Sequence, residues 1–168
     1  MTHLIATFFY VGHIRPAPGT WGSLAALPVA WVIYVIAGPW GLLAGVVLSY
    51  VLGVWATEAE TRGKDDHDPS EIVIDEVCGQ WIALLPVAFG AAQAGVPVTA
   101  LWPGWVAAFV LFRLFDITKW GPVGWADRKR GATGVMLDDV FAGILAAIGV
   151  TALAWLAHAG FVNAVTPA

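Results

Sequence analysis

Residues 21–57 read WGSLAALPVAWVIYVIAGPWGLLAGVVLSYVLGVWAT and contain no Asp, Glu, Lys or Arg. A helix needs about 20 apolar residues to cross the hydrocarbon core of a bilayer, and about 17 suffice when the flanks adapt. The stretch holds two runs close to that length, 21–37 and 41–57, separated by Gly38-Pro39, a pair typical of turns. It therefore predicts two membrane-spanning helices joined by a tight connection.

Three further apolar segments follow, at 81–100, 102–115 and 140–161. Backbone polar groups in lipid must be satisfied within each segment, so the spans are predicted to be helices. We expect an all-α integral membrane bundle of about four to five spans, forming a single domain over residues 1–168. The alternative is a soluble helical bundle with an unusually apolar core.

The composition supports lipid as the solvent. Of the 168 residues 59% are hydrophobic and 12% are charged, and the mean hydropathy is +0.76, whereas an average soluble domain has about 25% charged residues. The net charge of −4 comes without a basic run interleaved with aromatic residues, which argues against nucleic-acid binding. Cys78 is the only cysteine, so an intramolecular disulfide and a cysteine-rich metal cluster are excluded.

The charged residues occupy three places: Arg15, residues 58–76 and residues 113–139. If the spans alternate in direction, all three places fall on one side of the membrane. The positive-inside rule assigns that side to the cytoplasm, with the N-terminus inside. We expect a multi-pass protein of the inner (cytoplasmic) membrane whose charged face points to the cytoplasm. Tryptophans are expected in two interfacial belts, Trp21, Trp55, Trp81 and Trp120 on that face and Trp40, Trp102, Trp105 and Trp155 opposite.

The segment Arg15-Pro16-Ala17-Pro18-Gly19-Thr20 leads directly into the first predicted span. Thr20 is a natural N-cap, and Gly19 lets the backbone approach a ligand closely. Free backbone N–H groups, the helix dipole and Arg15 could together hold a phosphate. The plainer reading is a capped helix start with an interfacial arginine.

Two acidic pairs open two of the predicted spans: Asp75-Glu76 before the third and Asp138-Asp139 before the fifth. Carboxylates in an apolar run are costly unless they bind an ion, pair with a cation or are protonated. Oxygen-only ligands suit Mg²⁺ better than Zn²⁺, which prefers histidine and cysteine, and His67 is a further candidate ligand. Adjacent helical positions differ by about 100°, so we expect only one member of each pair to face a given ion. A helix-start acidic pair favoured by the dipole is the alternative.

Cationic residues accompany the second half of the chain. Arg113, Asp116 and Lys119 are spaced three apart and share one helical face if the fourth helix continues to Lys119. Asp127 precedes the basic run Arg128-Lys129-Arg130, which could equally be a lipid-headgroup patch. Neither a Cys-x5-Arg loop nor a G-x-S-x-G elbow is present.

Four motifs in order resemble the phosphatidylglycerophosphatase A family: RPAPGTWGSL at 15–24, IVIDEV at 72–77, FRLFDITK at 112–119 and GVMLDDVFAG at 134–143. The loop 120–134 departs from the family pattern. The resemblance covers about residues 10–145. It implies an all-helical, Mg²⁺-dependent membrane phosphatase that hydrolyses phosphatidylglycerophosphate to phosphatidylglycerol and inorganic phosphate in phospholipid biosynthesis.

The expected site follows from the motifs and the resemblance together. The expected metal ligands are Asp75, Glu76, Asp138 and Asp139, with Asp116 and Asp127 as possible further ones. The expected catalytic residues are Asp75, Glu76, Asp116, Lys119, Asp138 and Asp139. The expected substrate-binding residues are Arg15, Gly19, Thr20, Arg113, Lys119 and Arg128. In-line attack by water is expected, with an aspartyl-phosphate on Asp116 or Asp138 as the alternative. The rival functions are a membrane cation transporter and a non-catalytic membrane scaffold. Oligomeric state is left open.

Overall fold

The computed structural model describes residues 1–64, 69–129 and 131–165. Within these ranges the chain is helical and has no strand. His67 and Arg130 lie outside the described residues. The helices are α1 Thr2–Ala6, α2 Pro18–Thr61, α3 Ile74–Ala94, α4 Trp102–Thr118, α5 Pro122–Asp127 and α6 Ala132–Val165, with short 3-10 turns at Val11–His13 and Val98–Leu101. The all-α prediction is confirmed.

Helix α2 is interrupted at Gly38, whose backbone (φ 64°, ψ −165°) leaves the helical region. A Cβ placed on Gly45 would lie 3.6 Å from Cδ1 of Ile33, although residues twelve apart in one straight helix are separated by about 18 Å. The arms 18–37 and 39–61 therefore fold back against each other. This is the break predicted at Gly38-Pro39, and glycine supplies the positive φ that the turn requires.

Four helical segments are long and apolar enough to cross a membrane: Pro18–Thr61, Ile74–Ala94, Val98–Thr118 and Ala132–Ala159. Since Pro18–Thr61 consists of two arms, the count agrees with the predicted four to five spans. The predicted boundaries were less accurate. Helix α3 begins at Ile74 rather than at 81, and α6 begins at Ala132 rather than at 140, so Asp138 and Asp139 lie more than a turn inside their helix. The short helix α5 was not predicted.

Helix α3 lies at the centre of the bundle and packs against α2, α4 and α6. Its backbone approaches that of α6 closely: a Cβ on Gly79 would lie 2.6 Å from the carbonyl oxygen of Asp139, and one on Gly143 would lie 2.4 Å from that of Gly79. Small residues allow such close helix packing in membrane proteins. This crossing fixes the position of Asp139 along the bundle axis relative to the start of α3.

Trp81 was expected at the membrane interface, and that expectation is wrong. Its side chain is buried, and Nε1 donates a hydrogen bond of 2.9 Å to the carbonyl oxygen of Ala26 in α2. The indole ring has a polar N–H that can be satisfied inside a bundle as well as at a headgroup. Trp81 therefore fastens α3 to the first arm of α2.

Candidate active site

Four helices bring their polar residues to one end of the bundle. The start of α2, the start of α3, the end of α4 and the first part of α6 meet there, as the alternation of spans predicted. The residues that they contribute are Gly19, Ser23, Asp75, Glu76, Arg113, Asp116, Asp138 and Asp139.

One group of carboxylates consists of Asp75, Glu76 and Asp139, which we call the first triad. One oxygen from each lies within 4.8 Å of the others, a spacing at which three oxygens can share a divalent ion. Asp75 and Glu76 are adjacent in the first turn of α3, and we had expected only one of them to face a given ion. Their side chains are long enough to bring an oxygen of each to the same place despite the 100° between their directions.

A second group consists of Asp116, Asp138 and Asp139, the second triad, and its oxygens also lie within 4.8 Å of one another. Asp139 belongs to both triads. Its side chain is 2% exposed, and those of Asp75, Asp116 and Asp138 are also buried. The five carboxylates of the two triads thus form one continuous cluster joined at Asp139.

Lys119 binds the second triad from outside. It is the C-cap of α4, in the left-handed conformation (φ 51°), so the helix ends just before it. Nζ lies 3.3 Å from Oδ1 of Asp116 and donates a hydrogen bond to Oδ2 of Asp138. Burial lowers the pKa of Lys119, but the hydrogen bond and charge of Asp138 and the charge of Asp116 raise it further, so the pKa is raised overall. Lys119 is therefore positively charged throughout the physiological pH range.

Arg113 connects α4 with the starts of α2 and α3. Its Nη1 lies 2.6 Å from Oδ2 of Asp116 and 3.9 Å from Oε1 of Glu76. The same nitrogen donates a 3.4 Å hydrogen bond to Oγ of Ser23. Nε of Arg113 is buried and has no hydrogen-bond partner in the part of the chain that the structure describes. The guanidinium thus keeps a donor available inside the site.

Gly19 places the α2 backbone directly against Glu76. A Cβ on Gly19 would lie 1.9 Å from Oε1 of Glu76 and 3.3 Å from Nη1 of Arg113. Thr20 does not act as the N-cap, because α2 begins at Pro18 with Ala17 as the N-cap. The N–H of Thr20 donates to the carbonyl oxygen of Ala17 at 3.0 Å and is not free for an anion. The Gly19 backbone lies close to the Glu76 carboxylate, and the predicted cap is wrong.

Three predicted residues are exposed and belong to neither triad. Arg15 is exposed and donates a 2.8 Å hydrogen bond to Oγ of Ser70 rather than to a carboxylate. Arg128 is also exposed. Asp127 belongs to neither triad; its Oδ1 lies 3.3 Å from Nζ of Lys119, and nearly half of its side chain is exposed. The structure does not gather these three with the buried carboxylates.

Two buried polar residues were not predicted. Ser23 is fully buried, accepts from Arg113 and donates a 2.8 Å hydrogen bond to the carbonyl oxygen of Gly19. Gln80 is fully buried, and neither amide atom has a hydrogen-bond partner among the described residues. Each follows a site residue by four positions, Gly19 and Glu76 respectively, which places both pairs on shared helical faces. A polar residue four positions from a motif residue was the signal that could have identified them.

The cluster has the donor set of a site for a hard divalent cation. Oε2 of Glu76 and Oδ1 of Asp139 are buried and have no hydrogen-bond partner in the described part of the chain. Among the described residues, the five carboxylates are paired with two cationic side chains, Arg113 and Lys119. Buried carboxylates need an opposite charge or a proton, and an oxygen-only set suits Mg²⁺. The residues therefore fit such an ion.

Comparisons with known proteins agree on one family. The model of the family described as Phosphatidylglycerophosphatase A matches residues 4–154. Phosphatidylglycerophosphatase A of Haemophilus influenzae is 38% identical over 152 residues, covering 90% of this chain and 87% of the relative. The Escherichia coli protein of the same name is 38% identical over 148 residues, covering 86% and 78%. A Bacteroides thetaiotaomicron protein provisionally named a phosphatidylinositol-3-phosphatase is 37% identical over 159 residues, covering 91% and 93%. No solved structure gives a significant match.

Proposed function

Because the chain belongs to the phosphatidylglycerophosphatase A family, we propose that it is a membrane phosphoric monoester hydrolase that converts phosphatidylglycerophosphate to phosphatidylglycerol and inorganic phosphate. The membrane-length helices suit a substrate anchored in lipid. This reaction would make it an enzyme of phospholipid biosynthesis. The family resemblance stated from the four motifs is confirmed.

The observation that supports a phosphatase most directly is the buried cluster of carboxylates and cations at the ends of the helices. A phosphate monoester carries negative charge on several oxygens, and its hydrolysis needs positive charge in fixed positions. Arg113 and Lys119 are held in place by ion pairs with Asp116, and Lys119 also by Asp138. Preorganised cations of this kind cost little reorganisation when charge develops in the transition state.

We assign Mg²⁺ to the first triad, with Asp75, Glu76 and Asp139 as the residues that would hold it. When bound, the ion would act as a Lewis acid on the phosphoryl oxygens and lower the pKa of water. Asp138 is engaged elsewhere, because Oδ2 accepts from Lys119 and Oδ1 accepts a 3.0 Å hydrogen bond from the N–H of Asp139. The second triad therefore has its cation in Lys119, and the buried unpartnered oxygens of Glu76 and Asp139 belong to the first.

We assign phosphate binding to Arg113, Lys119 and the backbone at Gly19. Nε of Arg113 is a buried donor of the guanidinium that has no hydrogen-bond partner among the described residues. Gly19 lies where any side chain would enter the space of Glu76, so the backbone itself forms the wall of the site. Arg15 and Arg128 are exposed, and we assign them to the glycerol-bearing headgroup and the neighbouring lipid phosphates.

We propose direct in-line attack by water rather than an aspartyl-phosphate. Both oxygens of Asp116 are engaged, Oδ2 by Arg113 and Oδ1 by Lys119. Both oxygens of Asp138 are engaged as well, by Lys119 and by the Asp139 N–H. A carboxylate whose oxygens accept charge-assisted hydrogen bonds is a weak nucleophile. Single turnover in labelled water followed by mass analysis checks this, and label incorporated into an aspartate would contradict it.

The active site is assigned to the cytoplasmic face of the inner membrane. The cationic residues named above lie at the same end of the bundle as the carboxylates, and the positive-inside rule places that end in the cytoplasm. A reporter fused before α1 should report the cytoplasm, and one fused after α6 should report the opposite side of the membrane. A reporter before α1 that reports the non-cytoplasmic side, or two reporters on the same side, would contradict the assignment.

The test of the function is phosphate release from phosphatidylglycerophosphate by the purified full-length protein in mixed micelles. Activity should require Mg²⁺ and disappear on chelation and in Asp139→Asn. Glu58→Gln, an exposed acidic residue in α2, is the matched control and should retain activity. Phosphatidylinositol 3-phosphate and phosphatidic acid are tested in parallel to measure the specificity for the headgroup. An inactive wild type on all three lipids would favour the transporter or the scaffold instead.

A further inference from the structure

A second polar cluster lies apart from the carboxylates, where α1, the 3-10 turn Val11–His13 and the end of α2 meet. The imidazole rings of His3 and His13 face each other there, and their Nε2 atoms are 3.0 Å apart. The ring centroids are separated by 5.1 Å. Both residues have access to solvent. The family assignment gives no role to this histidine pair.

Glu60 fixes the orientation of His3. Its Oε2 lies 3.1 Å from Nδ1 of His3, and its Oε1 accepts a 2.6 Å hydrogen bond from Oγ1 of Thr2. A carboxylate oxygen accepts hydrogen bonds, so Nδ1 of His3 carries hydrogen. In the neutral ring the lone pair is then on Nε2, which points at His13. A carboxylate behind a histidine is the usual outer support of a metal-binding imidazole.

The distance between the two nitrogens is close to that required by a shared ion. Zinc–nitrogen bonds of about 2.0–2.1 Å in tetrahedral geometry place two ligand nitrogens about 3.3 Å apart. Starting from 3.0 Å, the rings would need to separate by about 0.3 Å. Because the rings are exposed, water can complete the coordination. A direct hydrogen bond between the rings is the competing explanation of the contact.

We propose that His3 and His13 form a binding site for Zn²⁺ or another divalent ion that prefers imidazole, with Glu60 as its outer carboxylate. The site differs in donor chemistry from the carboxylate cluster, because nitrogen ligands select such ions over Mg²⁺. A bound ion ties α1 to the turn that precedes Arg15. Through Glu60 it also ties both to the end of α2.

The proposal is tested on the full-length protein in detergent, labelled with ¹⁵N-histidine and kept in excess Mg²⁺, while Zn²⁺ is added. The Nε2 resonances of His3 and His13 should shift together, and those of exposed His158 should not move. His13→Ala should abolish the shift of His3. Glu60→Gln should weaken Zn²⁺ binding by about 10- to 100-fold. His158→Ala is the matched control and should bind Zn²⁺ as the wild type does.

Two results would overturn the proposal. One is unchanged His3 and His13 resonances up to millimolar Zn²⁺, which would leave only a hydrogen bond between the rings. The other is Zn²⁺ affinity in His13→Ala equal to that of the wild type. Asp139→Asn distinguishes this site from the proposed Mg²⁺ site: the histidine shifts should persist in that variant, and their loss would mean that Zn²⁺ acts through the carboxylates.

Discussion

Gly19→Ala tests whether the α2 backbone forms a wall of the active site. The added Cβ would lie 1.9 Å from Oε1 of Glu76 and 2.9 Å from its Cδ. Contacts of a real Cβ are at least 3.0 Å, so the Glu76 oxygen must move by about 1 Å. The obstacle is the end of a flexible side chain rather than backbone, so the carboxylate can move while the helices stay in place.

The expected effect therefore falls on activity and not on folding. A displacement of about 1 Å in a catalytic constellation can cost about 100-fold in rate, which is about 2.7 kcal/mol of transition-state stabilisation. Alanine is a better helix former than glycine by about 0.5–1 kcal/mol, which offsets part of any strain in the first turn of α2. We expect kcat for phosphatidylglycerophosphate to fall about 100-fold with an unchanged thermal melting midpoint.

The assay is phosphate release in mixed micelles at saturating Mg²⁺, with thermal unfolding measured on the same preparation. Gly90→Ala is the matched control, because among the described residues its Cβ would come no closer to a neighbouring segment than 3.9 Å, to Cδ1 of Leu101. It should retain full activity. Activity of Gly19→Ala within about threefold of the wild type would refute the reasoning. A threefold change in rate is less than about 1 kcal/mol of transition-state stabilisation. Loss of folding would refute it equally.

Three further substitutions separate packing from chemistry. In Gly79→Ala the new Cβ would lie 2.6 Å from the carbonyl oxygen of Asp139 and 2.4 Å from Cε2 of Phe112, so we expect a loss of about 1–3 kcal/mol in stability, measured by thermal unfolding. Lys119→Met leaves Asp138 without its cation. We expect the unfolding free energy to fall by about 1–3 kcal/mol, less than for a fully buried pair because a third of Lys119 is exposed. Phosphate release should be lost. Gln80→Leu removes two unpartnered buried amide atoms, so stability should stay equal or rise, and a reduced kcat would mark Gln80 as part of the site.

The sequence was sufficient to predict the bundle because hydropathy is a strong signal in a membrane protein. Uncharged runs of about 17–22 residues define four of the five predicted spans, the pair Gly38-Pro39 separates the first two, and the observed backbone break is at Gly38. The gathering of Asp75, Asp116 and Asp139 at one end follows from alternating direction alone. Helix ends were predicted less well, because hydropathy detects the apolar part of a helix and not where its hydrogen bonding begins.

The pairing inside the site could not be predicted, because it depends on how the helices are rotated and how closely they approach. The close crossing of α3 and α6 at Gly79 places Asp139 beside Glu76. A local sequence pattern does not specify how closely two helices approach. Lys119 was expected to share the face of Arg113 and Asp116 if the helix continued to it; α4 ends at Thr118, and Lys119 lies at the left-handed cap, from which it reaches Asp138. The same limitation explains the wrong prediction for Trp81, whose N–H donates to a carbonyl oxygen inside the bundle.

The sharing of Asp139 by both triads leads to a prediction about the number of metal ions. Lys119 already supplies a cation to Asp116 and Asp138, so we expect the second triad to hold no ion and the first to hold one. Equilibrium binding of Mn²⁺, used as a probe for Mg²⁺, should give one ion per chain. Asp75→Asn and Asp139→Asn should lose it, and Asp138→Asn should retain it, since only the first two replace a charged carboxylate of the first triad by a neutral amide. Two ions per chain in the wild type, or an ion lost in Asp138→Asn and kept in Asp75→Asn, would contradict this assignment and move the metal to the side of Lys119.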